Sequence, residues 1–399
     1  MAEWRNSTWG EEIALEYGKA LRDYSDSNGT FRVFGTNGPI GWTDTPLAPG
    51  PGVILGRKGA YRGVRYSPEP FFVIDTAYYV VLKTALDMRW LYYAIIHYQL
   101  GLIDDGSPIP STTRAAVYPR EIAVPLPNEQ RAIAAVLGAL DDKIEQNRRT
   151  ALALERLARA IFRAWLVDFE PVKAKAAGAA AFPSMPQPVF DALPTGFVDS
   201  EIGPVPEGWA VKPIATIATF LNGLALQKYP PRGDGEDFRV IKIAELRKGS
   251  SDGADWANGD VPAQYVIDDR DLLFSWSGTL EAEFWFGGRG ALNQHLFKVT
   301  SSHFPSWFCF LWIRQHLPWF RTVAASKATT MGHIKRGHLQ EAQVVIPAAD
   351  VLGAADGAIG PLYDLHAQVM VESRKLAEMR DYLLPRLLIG SVRVEVANG

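Results

Sequence analysis

The feature that most restricts the fold of this 399-residue chain is an internal duplication. Two segments run through the same order of parts. Each opens with a mixed region rich in aromatic, glycine and β-branched residues, reaches a short apolar strand closed by proline, and continues into a long stretch of helical periodicity. In the first half the strand is Glu121-Ile122-Ala123-Val124-Pro125-Leu126-Pro127; in the second it is Glu341-Ala342-Gln343-Val344-Val345-Ile346-Pro347. The shared Glu and the closing Pro are each displaced by 220 positions (121 to 341, 127 to 347). Phe31-Arg32-Val33 returns as Phe238-Arg239-Val240. Repetition on this scale predicts two units of like fold rather than one continuous core. Between them, Lys173-Ala174-Lys175-Ala176-Ala177-Gly178-Ala179-Ala180-Ala181 and the prolines up to Pro194 read as an exposed linker, which its alanines leave free to be partly helical.

The helical stretches need partners. After Pro127 the apolar positions are Ile133, Leu137, Leu140, Ile144, then Asn147, then Ala151, Leu154, Ala158, Ile161 and Trp165. Steps of four and three alternate, which is a heptad seam. At about 1.5 Å per residue, some 40 residues make a rod of roughly 60 Å. Arg148, Arg149, Arg156, Arg159 and Arg163 fall off the seam. The second stretch repeats Leu362, Val369, Leu376 and Leu383 every seven residues, with a poor companion column of His366, Ser373 and Arg380 that Leu365 and Met379 can supplement. Pro361 should start or kink this helix, and Pro385 should disturb its last turns. The simplest burial for both seams is each other, antiparallel if a pseudo-twofold relates the halves. Asn147 then either sets the register of the pair or lies at a solvated point.

Composition narrows the function. At 47% hydrophobic and 21% charged residues the chain is an ordinary globular one. Cys309 stands alone, so neither an intrachain disulfide nor a multi-thiolate zinc site is available. Met1 to Gly10 holds no apolar signal core, and Trp90 to Ile103, broken by His97 and Gln99, is too short to cross about 30 Å of hydrocarbon. These readings point to a cytoplasmic chain with no membrane role. The net charge of -3 is unusual for a nucleic-acid binder and confines any such role to local patches or to partners.

Four stretches carry a family resemblance. They are Ala160-Ile161-Phe162-Arg163-Ala164-Trp165-Leu166-Val167-Asp168-Phe169-Glu170-Pro171-Val172, Phe197-Val198-Asp199-Ser200-Glu201-Ile202-Gly203-Pro204-Val205-Pro206-Glu207-Gly208-Trp209, Leu292-Asn293-Gln294-His295-Leu296-Phe297-Lys298-Val299 and Asp381-Tyr382-Leu383-Leu384-Pro385-Arg386-Leu387-Leu388. In this order, over nearly the whole chain, they resemble the specificity subunits of type I restriction–modification systems. The resemblance implies an α+β fold in which two similar α/β target-recognition domains are joined by two long antiparallel helices. The expected boundaries are residues 1–127 for the first recognition domain, 128–170 for the first spacer helix, 171–200 for the linker, 201–347 for the second domain, 348–390 for the second helix and 391–399 for a tail. Val392 to Val396 alternates like a strand that returns to the first domain. The resemblance further implies that each domain reads half of a split site on double-stranded DNA. Two methyltransferase subunits using S-adenosylmethionine on adenine would dock on the helices, and motor–nuclease subunits using ATP and Mg would complete the complex. No cofactor is expected in this chain, and the isolated chain should bind DNA weakly and with strong salt dependence.

Phosphates favour Lys and Arg, and base edges favour amides, hydroxyls and Arg on exposed loops. In the first domain Gly35-Thr36-Asn37-Gly38 has turn chemistry, with Asn37 able to read adenine. Gly56-Arg57-Lys58-Gly59-Ala60-Tyr61-Arg62-Gly63 suits either a hairpin with solvated charges or a DNA contact, and three cations around Tyr61 favour contact. Thr112 and Arg114, in Ser111-Thr112-Thr113-Arg114, form a third cluster. In the second domain the matching place carries Lys327, Thr329, Thr330, His333, Lys335 and Arg336, and Ser277, in Phe274-Ser275-Trp276-Ser277-Gly278-Thr279, is a separate candidate, with Trp276 read as core. No catalytic residue is expected. The chain lacks G-x-x-x-x-G-K-[ST] and G-x-G-x-x-G, an Asn/Asp-Pro-Pro-aromatic tetrapeptide, and a carboxylate pair followed by Glu-x-Lys. His333 and His338 lack a third ligand nearby, so no metal is expected. The rival readings are a protein-interaction scaffold with two modules on a coiled coil, a stand-alone DNA enzyme, and the targeting subunit of another defence system.

Overall fold

The computed structural model describes residues 4–24, 29–59, 61–104, 106, 109–326 and 332–394. The chain divides into two compact units, one of Met1–Ile144 with Leu376–Gly399 and one of Glu145–Lys375. Each long helix is therefore shared between the units, and the C-terminal segment belongs with the first.

In the first unit the strands are β1 (Arg5–Thr8), β2 (Ile13–Tyr17), β3 (Phe31–Gly35), β4 (Gly38–Thr43), β5 (Gly52–Gly56), β6 (Val64–Ser67), β7 (Phe71–Val73), β8 (Ala77–Leu82) and β9 (Glu121–Val124). An antiparallel sheet has the order β2-β8-β5-β6, a second sheet has the order β4-β3-β7 with β3 and β7 parallel, and β1 pairs with β9. The helix Met88–His97 buries Trp90, Leu91, Tyr93, Ala94 and Ile95 in one core with Trp9, Val53, Leu55 and Tyr78. Asp87 caps it by accepting from the Arg89 and Trp90 amides at 3.0 and 2.8 Å.

The second unit opens with a small hairpin of β10 (Phe197–Val198) and β11 (Val205–Pro206) and then repeats the plan. Its strands are β12 (Ala210–Pro213), β13 (Thr219–Asn222), β14 (Phe238–Ile241), β15 (Trp256–Ala257), β16 (Val266–Ile267), β17 (Leu272–Ser275), β18 (Ala282–Phe284), β19 (Gly290–Leu292), β20 (Leu296–Thr300) and β21 (Gln343–Ile346). The order β13-β20-β17-β18 corresponds to β2-β8-β5-β6. β14 runs parallel to β19 as β3 does to β7, and β12 pairs with β21 as β1 does with β9. The duplicated Phe-Arg-Val tripeptide falls in β3 and β14, the strands with a parallel partner. The helices Met88–His97 and Ser306–Ser326 correspond as well.

The duplicated proline-closed strands are β9 and β21. Two residues after each, the chain enters a long helix, Pro127–Phe162 or Ala349–Leu388. A π-helical turn, Arg163–Val167, follows the first and buries Trp165 and Leu166. Of the seam, Leu137, Asn147 and Val369 are buried, while Leu140, Ile144, Leu154, Ile161, Leu362, Leu376 and Leu383 are half-buried. Asn147 is 2% exposed and its Nδ2 donates to Glu372 Oε2 at 2.8 Å, which removes the solvated alternative. Within the second unit the helices run antiparallel, since Asn147 meets Glu372 while Glu155, further along, faces Tyr363 and His366. Within the first unit Asp141 meets Arg380, and the earlier Glu129 meets Arg393.

Several expectations need correction. Leu365 and Met379 are 43% and 52% exposed and do not fill the seam. The polar column keeps its place because Arg380 turns toward Asp141 and Ser373 Oγ donates to the Val369 carbonyl. The second long helix begins at Ala349 and passes through Pro361 and Pro385. Pro361 is exposed, where a missing N–H is tolerated. The expected exposed linker is partly core. It forms the short helices Glu170–Ala176 and Gln187–Ala192, and Val172, Met185, Phe190 and Leu193 join the main core of the second unit. Val392 to Val394 is not a strand, yet it does reach the first unit. Arg393 pairs with Glu129 at 3.3 Å and lies over Trp4, whose indole N–H donates to the same carboxylate.

Arginine–carboxylate clusters fasten each domain to its helix segments. In the first unit Asp141 accepts from Arg380 and from the Tyr93 hydroxyl, at 2.8 and 2.7 Å, and Arg89 holds Asp142. In the second, Arg314 bridges Glu283 on β18 and Glu155 on the first long helix, at 2.5 and 3.2 Å. Loss of hydration pushes the Glu283 carboxyl up to about 7; Arg314 opposes this, and Glu155 and Glu281 add to it. Tyr363 and His366, on the second long helix, line the same hollow. A carboxyl raised from 4.5 favours the native state most when protonated, so its contribution is full below pH 4.5 and is lost as the pH rises through about 7. Urea unfolding of the second unit should therefore show stability falling by about 1 kcal/mol from about pH 6 to about pH 8, allowing for solvent screening of a partly exposed group. Glu283→Gln should flatten that dependence.

Candidate nucleic-acid interface

In the first unit the three loop clusters singled out in the sequence converge. Thr36 and Asn37 form the two-residue turn between β3 and β4, with Gly38 at φ +138. Thr36 Oγ1 donates to the Lys58 carbonyl at 2.7 Å. Lys58 forms a β-bridge with Ser111, the Gly59 amide donates to the Pro110 carbonyl, and the Thr112 amide donates to the Arg57 carbonyl. A single edge results, presenting Asn37, Lys58 and Tyr61 to solvent, with Tyr61 78% exposed. Arg65, which sequence reading missed, belongs to it: it is exposed on β6 and donates to the Asn37 carbonyl at 3.2 Å.

Four of the expected contacts are committed elsewhere. Arg62 is 8% exposed, and its guanidinium donates to the carbonyls of Gly101, Gly59 and Ile103 at 2.8, 3.0 and 3.0 Å. Thr112 is fully buried against the Leu100 and Ile103 carbonyls. Those two side chains brace the loop and do not face outward. Arg57 and Arg114 lie over the ring of Tyr17, 5.0 and 4.6 Å from its centroid, and Arg114 Nε donates to the Leu15 carbonyl. A hydrogen bond with Tyr78 and the two cations draw the Tyr17 phenol below its usual value, while burial pushes Tyr78 up to about 12. Tyr17 is 46% exposed beside the edge, and its link to Arg57 and Arg114 had no local sequence signal because it joins residues far apart in the chain.

The second unit builds the same edge from different side chains. Ser277 bridges His333 as Lys58 bridges Ser111. The Ile334 amide donates to the Trp276 carbonyl and the Gly278 amide to the Gly332 carbonyl, matching Thr112 to Arg57 and Gly59 to Pro110. By backbone bonding, then, Trp276 stands where Arg57 does, Ser277 where Lys58 does, and His333 where Ser111 does. Ser277 is 2% exposed and its Oγ lies 2.8 Å from His295 Nδ1, so it orients a histidine instead of facing solvent. The Trp276 indole is half-buried, packed against the main core of the second unit, and donates to Asn222 Oδ1 and the Gln294 carbonyl at 2.7 and 3.0 Å. Asn222, Trp276, Phe297, Ile334 and Arg336 line a hollow of about 220 Å³. Lys335 and Arg336 are exposed and His333 is half-buried. Lys327, Thr329 and Thr330 lie outside the described residues. The His338 ring is buried, its Nδ1 accepting from the Lys335 amide at 3.0 Å. Among the described residues no group of three or more His, Cys, Asp or Glu side chains is placed to hold a metal, and no helix is long and apolar enough to cross a membrane.

No family model matches the chain. The specificity subunit of the type I restriction enzyme MjaIX from Methanocaldococcus jannaschii is 25% identical over 331 residues, covering 79% of this chain and 72% of that protein. The HindI specificity subunit from Haemophilus influenzae is 21% identical over 367 residues, covering 81% and 80%. Over most of its length the chain is similar to type I specificity subunits. The crystal structure of a type I S subunit from M. genitalium has the same fold, with a TM-score of 0.61 at 15% identity over 96% of both chains. The two duplicated edges are where side chains differ on a shared backbone. Replacing Arg62 with Ala should lower the unfolding free energy of the first unit by about 2–4 kcal/mol, because the buried Gly101 carbonyl loses its guanidinium donor and the Ile103 and Gly59 carbonyls each lose one as well. Lys58→Ala should stay within about 0.5 kcal/mol of wild type in the same thermal or urea melts.

Proposed function

We propose that this chain is the DNA-reading subunit of a type I restriction–modification complex and performs no chemistry itself. The carrying observation is the pair of edges with the same backbone bonding and different side chains, Arg57-Lys58-Gly59 against Pro110-Ser111-Thr112 and Trp276-Ser277-Gly278 against Gly332-His333-Ile334. A shared frame with different chemistry reads two different half-sites. In the first, Asn37 offers an amide to an adenine edge, while Lys58 and Arg65 reach phosphate or guanine. In the second, Lys335 and Arg336 supply charge around the Trp276 hollow. Arg62, Thr112 and Ser277 take supporting roles. On this reading the long helices into which the domains lead set the spacing between half-sites.

The remaining assignments follow from this reading. Two methyltransferase subunits bind S-adenosylmethionine and modify adenine, and motor–nuclease subunits use ATP and Mg; this chain holds none of these groups and works in the cytoplasm. The net charge of -3 leaves the isolated chain a weak, salt-sensitive binder that relies on its partners to close around DNA. Methylation mapping in cells carrying the chain with its methyltransferase tests the whole reading. A split adenine-methylated motif should appear only when this chain is present. Asn37→Ala with Lys58→Ala should lose or relax one half of the motif, with discrimination falling about tenfold at the affected base. An active methyltransferase that produces no such motif would instead favour an interaction scaffold.

A further inference from the structure

Most arginines near the two domains are consumed by internal partners, but one duplicated pair is not. Arg32 on β3 stands opposite Trp42 on β4, and Arg239 on β14 stands opposite Trp256 on β15. The guanidinium carbon lies 4.5 Å from the indole centroid in the first pair and 3.7 Å in the second. The next residues, Val33 and Val240, are 0% and 3% exposed in the cores, so by strand alternation both arginines project from the opposite face. Trp256 is 44% exposed, and Arg32, Trp42 and Arg239 are half-buried. Among the described residues neither guanidinium forms an ion pair; Arg239 spends one N–H on the Ala254 carbonyl.

The two hairpins share their first strand's Phe-Arg-Val but differ in their connections and second strands. Ten positions separate Arg32 from Trp42 and seventeen separate Arg239 from Trp256 (42 − 32 and 256 − 239). A helix, Ile243–Lys248, is inserted in the second hairpin, and β15 has shrunk to Trp256–Ala257. The chain leaves, builds a helix, and returns to place an indole opposite the same arginine. A pairing needed only to hold a strand would be satisfied by any β-former at that site.

We infer that Arg32 on Trp42 and Arg239 on Trp256 are phosphate clamps, one in each recognition domain, that grip the DNA backbone beside the reading edge without reading sequence. The inference rests on the DNA-recognition reading above. A guanidinium stacked on an indole has its plane fixed and its edge N–H groups free, the fork that suits phosphate oxygens. Arg32 lies three residues before Gly35, roughly 10 Å along the strand from the Thr36-Asn37 turn. That is close enough to share one DNA contact and too far to share its base. In the second domain Ile241, two residues after Arg239, accepts from the Asn293 amide, next to the Gln294 carbonyl that holds Trp276.

The test is DNA binding by the full chain in complex with its methyltransferase, titrated in salt against a cognate and an unrelated duplex. Arg32→Gln, Arg239→Gln and the double variant remove the charge while keeping a planar side chain over the indole. Each single change should weaken both duplexes by about the same factor, roughly tenfold, and make the slope of log affinity against log salt shallower by about 0.9, with the double variant changing by about twice that. The methylated motif and the melting temperature should not change. A wild-type slope in the variants, weakening confined to the cognate duplex, or a lowered melting temperature accounting for the loss overturns the clamp and leaves DNA recognition standing. A wild-type complex that binds neither duplex overturns both.

Discussion

Strand closure at the base of each recognition domain sets everything that follows. β1 pairs with β9 and β12 with β21, so the first and last strands of each domain are hydrogen-bonded neighbours. Their apolar residues, Ile122 and Val124 in one and Val344 and Val345 in the other, are buried in the domain cores. With both ends of a domain fixed at one place, the helix that starts two residues later leaves in a direction the core dictates. Helix propensity alone would not hold such a segment, since it carries Pro361 and Pro385 in one copy and a buried Asn147 in the other. The second helix segment and the arginine clusters complete the attachment, through Asp141 and Arg380 in one unit and Glu155, Arg314 and Glu283 in the other.

Several arginines are turned to internal partners. Arg62 is tied to three carbonyls, Arg314 to two carboxylates, Arg380 to Asp141, and Arg57 and Arg114 to an aromatic ring. A count of cations along the sequence therefore overstates the positive surface. Among the described residues, those exposed at each edge are a small set, Asn37, Lys58, Tyr61 and Arg65 in one domain and Lys335 and Arg336 in the other. Few charges with fixed positions suit discrimination better than raw affinity, because phosphate contacts add binding that is blind to sequence.

The reading edges divide labour between backbone and side chain. Backbone hydrogen bonds hold the loop that follows β5 to the segment around Ser111 in one unit, and the loop that follows β17 to the segment around His333 in the other. Side chains at equivalent positions are then free to change without loss of the frame, and Arg57 against Trp276 shows how far they have. Buried residues such as Arg62 and Ser277 keep the frame rigid, so that exposed ones are presented in fixed places.

The sequence by itself determined the duplication, the seam and the turn. A 220-residue offset, a heptad of Leu140, Asn147 and Leu154, and the Gly35-Thr36-Asn37-Gly38 turn are local or periodic signals, and period and turn chemistry are properties of neighbouring residues. Which side chains face outward was legible only where a period decided it, as for the exposed arginines of the first long helix. Tertiary structure alone decided that Arg62 and Thr112 turn inward, that Val172 and Phe190 of the expected linker fill a core, and that Tyr17 meets Arg57 and Arg114. Each of these depends on atoms brought together from distant parts of the chain: carbonyls of Gly101 and Ile103 for Arg62, the core of the second unit for Phe190. A loop rich in cations has the same composition whether its guanidinium finds water, phosphate or three carbonyls, and only the fold supplies the acceptors.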